Sequence, residues 1–304
     1  MVSIIIISYN TCRLTLNCIA SIVTTYPEAE IVVVDNRSPD DTVQAVRREY
    51  PAVRMIVSPE NKSYSNAVNI GMNSTTSEYT IVCNADVEFY AGAVATMIAY
   101  LQAHSRVGVC SPQQVYPDGT WQYCFGPLPS VGTAIKDMLL LYGIRDYFKR
   151  LLYPRLMFRR PRSVGYCDGA VLAIRRSAFA DVGGFDESFN FYSEETDFCY
   201  RLHNKGWYVH YVPTSTVMHI RGASSGSELN FSEKALQKLV TSKVHYMRKH
   251  FSPRHVRWFI RIEIANYTFK SSISKGIRRV RTSRQLETKQ KMFELLAAFY
   301  REKR

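Results

Sequence analysis

An α/β fold built on a mostly parallel sheet is predicted by three features of this chain. Apolar runs of strand length recur through its first part: VSIIIIS at 2–8, EIVVV at 30–34 and YTIVC at 79–83. Segments with apolar residues at helical spacing lie between them, and clusters of turn formers punctuate the alternation. A chain of 304 residues with 46% hydrophobic content has room for one large domain with an appendage.

The elements follow in order. The run at 2–8 has no polar alternation, as a strand buried on both faces should not. Leu16, Ile19, Ala20 and Val23 then recur at helical spacing. The strand at 30–34 ends at Asp35, and the turn formers of 36–41 lead to a helix carrying Val43 and Val46. Further strands are expected over 53–57, 79–83 and 107–110, with helices over 64–72 and 91–101 between them. The βαβ order places ligand-binding residues at the carboxyl ends of the strands, where Asp35 and Asp86 both fall. Residues 111–165 hold Pro112, Pro117, Pro127, Pro129, Pro154 and Pro161 and are expected to be irregular, with one short amphipathic helix over 134–142. Strands are expected over 164–174, with Gly165 and Gly169 inside, and over 207–212 and 215–219. After Gly226 the pattern turns helical, with Leu236, Leu239, Val240, Val244, Met247 and Phe251 on one face and two more helices over 256–269 and 286–300.

The net charge of +13 sits at one end. Residues 230–304 carry 19 Lys and Arg against 5 Asp and Glu, whereas residues 1–229 carry 20 against 21. A second basic stretch runs over 145–162. Such asymmetry points to a polyanion, either nucleic acid or an anionic membrane surface. The tail interleaves Trp258, Phe259, Tyr267 and Phe269 with Arg254, Arg257 and Arg261, as a basic helix at a membrane interface does. A solvated face, helical core packing and a homodimer contact are the alternatives. The seven cysteines are scattered without zinc spacing, which suits a reducing compartment. The chain opens on a strand-like run with no leader pattern, and no apolar run approaches the roughly 18–20 residues that span a bilayer. A cytoplasmic location is expected.

The densest chemistry lies in GGFDESFNFYSEETDFCYR at 183–201. Asp186, Glu187, Glu194, Glu195 and Asp197 alternate there with Phe185, Phe189, Phe191, Tyr192 and Phe198. Solvated acidic runs are poor in aromatics, so these carboxylates are expected beside a partly apolar cleft, as general bases and metal ligands are. The alternative is a helix start with Ser193 as its cap. In IVCNADVE at 81–88 a buried strand breaks into polar residues, and Asp86 there suits a hard divalent cation, which takes one or two carboxylates and fills its shell with phosphate and water. A plain Asn/Asp turn is the competing reading. Asp35 resembles an acid that bonds a nucleoside at an early strand end, but SYNTC replaces any GxGxxG after the first strand, and no GxxxxGK[ST] is present.

Taken in order, SIIIISYNT, VVVDNRSPDD, ENKSYSNAVNIG, IVCNADV, GYCDGAVLAIRRSAF, VGGFDESFNFYSEETDFCYRLHNKGW and VMHIRG resemble the running pattern of family 2 glycosyltransferases of the GT-A fold. Within that family they look most like its bacterial rhamnosyltransferase-like branch, and the resemblance covers residues 2–225. It implies a GT-A domain over 1–225, with a nucleotide-binding half (1–110) and an acceptor or catalytic half (111–225), followed by a basic helical extension over 226–304. It implies inverting transfer from a nucleotide-diphosphate sugar, such as dTDP-rhamnose, to a glycan or lipid-linked glycan of a bacterial surface polysaccharide. The donor contacts it implies are Ser8, Tyr9, Asn10, Asp35, Asn61, Asn84, Asp168 and Asp186. Mg²⁺ or Mn²⁺ is implied at Asp86 with His219 nearby, and the general base among Glu195, Glu194 and Asp197, with Glu195 matching its position in the family pattern.

Three departures stand out. Ser63 replaces a frequent Gly, which strains a loop needing φ > 0. Ala85 replaces a frequent Pro. Glu195 replaces the usual Asp and moves the carboxylate by about 1 Å. Two other readings follow: a sugar-nucleotide-binding homologue without turnover, and a nucleic-acid-binding protein gripping phosphate with its tail. The chain shows no nucleic-acid motif and its acidic cluster repels a polyanion, so no nucleic-acid partner is expected.

Overall fold

The computed structural model describes residues 2–139, 160–189, 191–220, 232–280 and 284–304. The basic stretch over 145–159, the end of the helix expected over 134–142 and the junction at Gly226 lie outside them.

Strands β1 (Val2–Ser8), β2 (Glu30–Asp35), β3 (Arg54–Val57) and β4 (Tyr79–Asn84) alternate with helices α1 (Cys12–Thr25), α2 (Thr42–Glu49) and α3 (Tyr64–Ser74). Then come β5 (Val87–Phe89), α4 (Ala93–Ala103), β6 (Val107–Val115), β7 (Trp121–Gln122), β8 (Phe125–Gly126) and α5 (Val131–Met138). After residue 160 follow β9 (Arg162–Ser163), β10 (Tyr166–Cys167), β11 (Val171–Arg175), α6 (Arg176–Asp181), α7 (Glu194–Asn204) and β12 (Tyr208–His219). Helices α8 (Glu233–His250), α9 (Pro253–Val280) and α10 (Arg284–Glu302) complete the described chain.

The main sheet runs β3-β2-β1-β4-β11-β6-β12-β5, with β7 on β6 and β9 on β12. Its β3-β2-β1-β4 portion is parallel, with Ile4 opposite Ile31 on one side and Ile81 on the other. Ile4 and Ile6 share a core with Ile19 and Ile22 of α1, Val46 of α2 and Met97 of α4. Ile5 lies against α3, where a Cβ on Gly71 would come within 2.5 Å of its Cγ2. Both faces are therefore covered, which accounts for the unbroken apolar runs.

Three expectations change. The strand expected over 164–174 is two pieces: β10 pairs with β8, and β11 enters the main sheet antiparallel between β4 and β6, while β9 just before them pairs with β12. Gly165 and Gly169 mark the breaks, as glycine in a strand pattern often does. The strands expected over 207–212 and 215–219 are one strand with an irregularity between Val212 and Thr216, beside Pro213, which has no N–H for the ladder. The strand expected over 107–110 continues to Val115 and folds back as a hairpin into β7.

The chain divides into two compact units. One comprises Met1–Pro127, Pro154–Asn190 and Glu194–Glu228, and holds the sheet. The other comprises Leu128–Tyr153, Phe191–Ser193 and Leu229–Arg304, and is helical. Its core holds Val240, Val244, Tyr246, Met247, Phe259, Leu296 and Tyr300. A buried ion pair, Lys243 Nζ to Glu263 Oε1 at 2.7 Å, crosses it from α8 to α9. Among the described residues no helix is long and apolar enough to cross a membrane. None of the seven cysteines is in a disulfide, and all but Cys12 are buried.

Candidate active site

Parallel strands bring their carboxyl ends to one edge, where Ser8 and Asp35 end β1 and β2 and Asp86 lies just past β4. Strand β11 starts beside the end of β4, where Ala170 O accepts from Asn84 N at 3.0 Å, so Asp168 reaches the same edge. His219 ends β12, and the next N–H, of Ile220, donates to Asp86 O at 2.9 Å.

Asp86 and His219 meet directly. Both are buried, with Asp86 Oδ1 3.5 Å from His219 Nε2. That carboxylate oxygen has no hydrogen-bond partner. On the far side of the ring, Nδ1 lies 3.0 Å from Gln114 Oε1 and 2.6 Å from Gln122 Oε1. Gln114 Nε2 in turn donates to Asp168 Oδ1 at 2.6 Å. A buried carboxylate oxygen left unbonded costs free energy unless a cation or donor satisfies it. A carboxylate and an imidazole facing each other across this gap suit a divalent cation. Among the described residues no group of three His, Cys, Asp or Glu side chains converges to hold a metal. One or two protein ligands suffice for a divalent cation that fills its shell with phosphate and water.

Asp35 is wholly buried and its carboxylate is already engaged. Oδ1 accepts from Ser38 N at 2.7 Å, and Oδ2 accepts from the hydroxyls of Ser38 at 2.6 Å and Ser8 at 3.0 Å. It thereby fixes the loop over 36–38, where Arg37 has φ 64. Asn10, at φ 54, donates its N–H to Ser38 Oγ at 2.8 Å, and Tyr9 is exposed beside it. Asn84 is half-buried and Asn61 exposed. Ser63 has φ −86 and caps α3 by accepting from Asn66 N, so the strain expected of a serine there is absent.

The acids at the start of α7 divide by face. Asp197 is wholly buried and accepts from Arg201 Nε at 2.7 Å. Glu194 is buried with Oε2 unbonded, and Glu195 is half-buried. Burial pushes Glu194 up to about 7. Burial, then the charges of Glu194 and Asp168, push Glu195 well above the usual carboxylate range. Ser193 has φ 66, outside the extended backbone of a capping residue. Asp186 accepts from Ser188 N at 2.8 Å in its own turn. Phe185, Phe189 and Phe198 are buried as expected, with Phe185 stacked on Phe198 at 4.3 Å, whereas Phe191 is exposed.

Residues not singled out by the sequence complete the site. Tyr64 donates to Gly169 O at 2.7 Å, and burial, followed by the charge of Glu194, raises its hydroxyl well above the ordinary phenol value. Asn66 and Asn69 of α3 each donate to a different oxygen of Glu187 at 2.9 Å, which ties the loop before α7 to α3. The signal for Gln114 and Gln122 is the YPDGT turn between them, a hairpin sequence that sets the two glutamines opposite each other.

The chain is similar to known proteins. The family model described as glycosyl transferase family 2 matches residues 3–183, and that of glycosyl transferase family group 2 matches residues 140–268. The chain belongs to glycosyl transferase family 2 and has the GT-A fold. It is 30% identical over 210 residues to an N-acetylglucosaminyl-diphospho-decaprenol L-rhamnosyltransferase of Mycobacterium tuberculosis, covering 65% of this chain and 68% of that protein. Over 86 residues it is 33% identical to rhamnosyltransferase WbbL of Escherichia coli, covering 28% of this chain and 31% of that one. In structure it is similar to the mannosyltransferase PcManGT of Pyrobaculum calidifontis, solved with GDP-Man and Mn²⁺, at TM-score 0.61 and 16% identity over 98% of this chain and 85% of that one. It is a glycosyltransferase of glycan biosynthesis in the rhamnosyltransferase-like branch.

Proposed function

We propose that this enzyme is a divalent-metal-dependent, inverting glycosyltransferase. It moves rhamnose or a similar hexose from a nucleotide-diphosphate donor to a glycan or lipid-linked glycan of a bacterial surface polysaccharide. The observation that carries the reading is the buried, unbonded Asp86 Oδ1 facing His219 Nε2, in the same unit as the acids of α7. Asp86 and His219 are the residues that hold Mg²⁺ or Mn²⁺, which when bound neutralises the charge gathering on the departing diphosphate. The fold relative solved with GDP-Man and Mn²⁺ and the decaprenol-linked substrate in the rhamnosyltransferase's name support this choice of ligands.

The chain's own residues do the rest. Ser8, Tyr9, Asn10, Asn61 and Asn84 line the donor side, and Asp35 acts by holding the loop over 36–38. Glu195 is the general base, since Asp197 is occupied by Arg201 and Glu194 is the more buried of the remaining pair. It takes the proton of the acceptor hydroxyl as that oxygen bonds the anomeric carbon. The bond from that carbon to the diphosphate oxygen breaks, its electron pair leaves with the diphosphate, and the configuration inverts. A carboxylate with a raised proton affinity is suited to this near neutral pH.

The helical unit is the part that meets an anionic membrane, on the inner face of the plasma membrane. Trp258 and Phe269 of α9 are 50% and 47% exposed, and Arg261 lies over the Trp258 ring at 5.6 Å. A groove of about 710 Å³ lined by Val131, Ile135, Met138, Arg254, Trp258 and Ile262 adjoins them. Phe259, grouped by the sequence with the interfacial aromatics of the tail, is instead core, 1% exposed and edge-on to Tyr300.

Release of nucleoside diphosphate from dTDP-rhamnose, with a lipid-linked glycan acceptor and Mn²⁺, tests the assignment. Asp86→Ala is expected to abolish metal-dependent turnover with the fold intact. Full activity of that variant, or of the wild type in excess chelator, overturns the metal assignment.

A further inference from the structure

The hairpin of β6 and β7 reaches beyond the strand ends and turns back at Tyr116–Thr120, where Gly119 has φ 78. Its register places Gln114 directly opposite Gln122, and both side chains are completely buried. Two glutamines facing each other inside a protein are costly unless every amide atom is used. Here the nitrogens have partners that can only accept: Asp168 Oδ1 at 2.6 Å from Gln114 Nε2, and the backbone oxygen of His219 at 3.2 Å from Gln122 Nε2. That fixes which end of each amide is oxygen. Both oxygens then converge on His219 Nδ1, at 3.0 and 2.6 Å, and an acceptor pair there demands a hydrogen on Nδ1. In the neutral ring the other nitrogen, Nε2, keeps its lone pair and lies 3.5 Å from Asp86 Oδ1.

We infer that Gln114 and Gln122 are positioning residues that lock His219 in the tautomer whose Nε2 is free to bind the divalent cation, and that Gln114 ties this lock to Asp168. The inference rests on the metal reading above and adds the part of the chain that makes it work. A histidine in the opposite tautomer presents an N–H to the cation and cannot ligate it. Outer hydrogen-bond partners of metal-binding histidines are worth about 10–100-fold in affinity. The Asp168 link runs toward the base, because the charge of Asp168 also acts on Glu195 and Tyr64.

The test is Mn²⁺ binding by the full-length protein, followed by the electron paramagnetic resonance of free Mn²⁺, alongside the ¹⁵N spectrum of the His219 ring. Wild type is expected to bind Mn²⁺ and to show a protonated Nδ1 with a bare Nε2 in the metal-free protein. Gln114→Leu/Gln122→Leu is expected to lose about 10–100-fold in Mn²⁺ affinity and to lose that single-tautomer signature. Gln122→Glu, which keeps an acceptor on Nδ1, is expected to bind Mn²⁺ at least as well as wild type, and it remains informative should the double variant not fold. Unchanged affinity in a folded double variant, or a wild-type ring with its proton on Nε2, overturns the lock while leaving the metal reading standing. A wild type that binds no Mn²⁺, and is indistinguishable in this assay from Asp86→Ala, overturns the metal reading and the lock with it.

Discussion

Arg201 grips Asp197 from one turn further along α7, Nε to Oδ2 at 2.7 Å, with the carboxylate wholly buried. The same guanidinium donates through NH1 to the backbone oxygen of Val182. Asp197 thus pins α7 to the loop that precedes it, and the proposed function gives proton transfer to Glu195 instead. Asp197→Asn is expected to cost about 3 kcal/mol in stability, as breaking a buried pair does, with kcat per folded molecule retained. Denaturant unfolding and the rate of the folded fraction check both halves. A large fall in kcat at unchanged stability moves the base to Asp197.

Glu194 makes stability depend on pH, and the sign follows from burial. Its folded proton affinity is raised to about 7, above that of an unfolded glutamate, so its contribution is full below about pH 4.5 and is lost as pH rises through 7. Glu195 is shifted in the same direction. Glu194→Gln is expected to gain on wild type by on the order of 3 kcal/mol between pH 5 and pH 8. Unfolding free energies of both proteins at the two pH values measure this, and parallel pH curves contradict it.

Exposed and buried aromatics on α9 have opposite consequences. Trp258→Ser/Phe269→Ser is expected to fold normally and to lose the salt-resistant part of binding to anionic vesicles. The remaining, electrostatic part, up to about 1 kcal/mol for each basic residue, fades as salt shortens the roughly 8 Å screening length. Phe259→Ala is expected instead to destabilise the helical unit by about 3–5 kcal/mol. Co-sedimentation with neutral and anionic vesicles separates these effects. Equal binding to both vesicle types, or none, overturns the anionic-membrane reading, and a double variant that keeps the salt-resistant part leaves the exposed aromatics without a membrane role.

Much of this was legible in the sequence because it lies on regular elements. Continuous apolar runs report strands covered on both faces, and polar breaks at their ends mark Asp35, Asp86 and His219. The order of motifs supplied the family. What stayed hidden depends on register or on partners distant in sequence. That Asp35 is bonded by Ser8 and Ser38, and Asp197 by Arg201, follows only from which side chains meet. Gln114 and Gln122 sat in a proline-rich stretch read as irregular, although its Pro-Asp-Gly turn is a hairpin signal. The strand expected over 164–174 hid the break at Gly169 beside Asp168, because a glycine inside an apolar run does not by itself distinguish a strand from a break in one. Phe259 and Trp258 are neighbours in sequence, and only packing against α10 decides which of them faces solvent.

The account turns on Glu195 taking the acceptor proton, and its most direct test is the rate of sugar transfer by Glu195→Gln at saturating donor, acceptor and Mn²⁺. The amide keeps the size of the side chain and loses the base, so kcat is expected to fall by about 10²–10⁴-fold. A Glu195→Gln enzyme that transfers sugar at the wild-type rate contradicts the account.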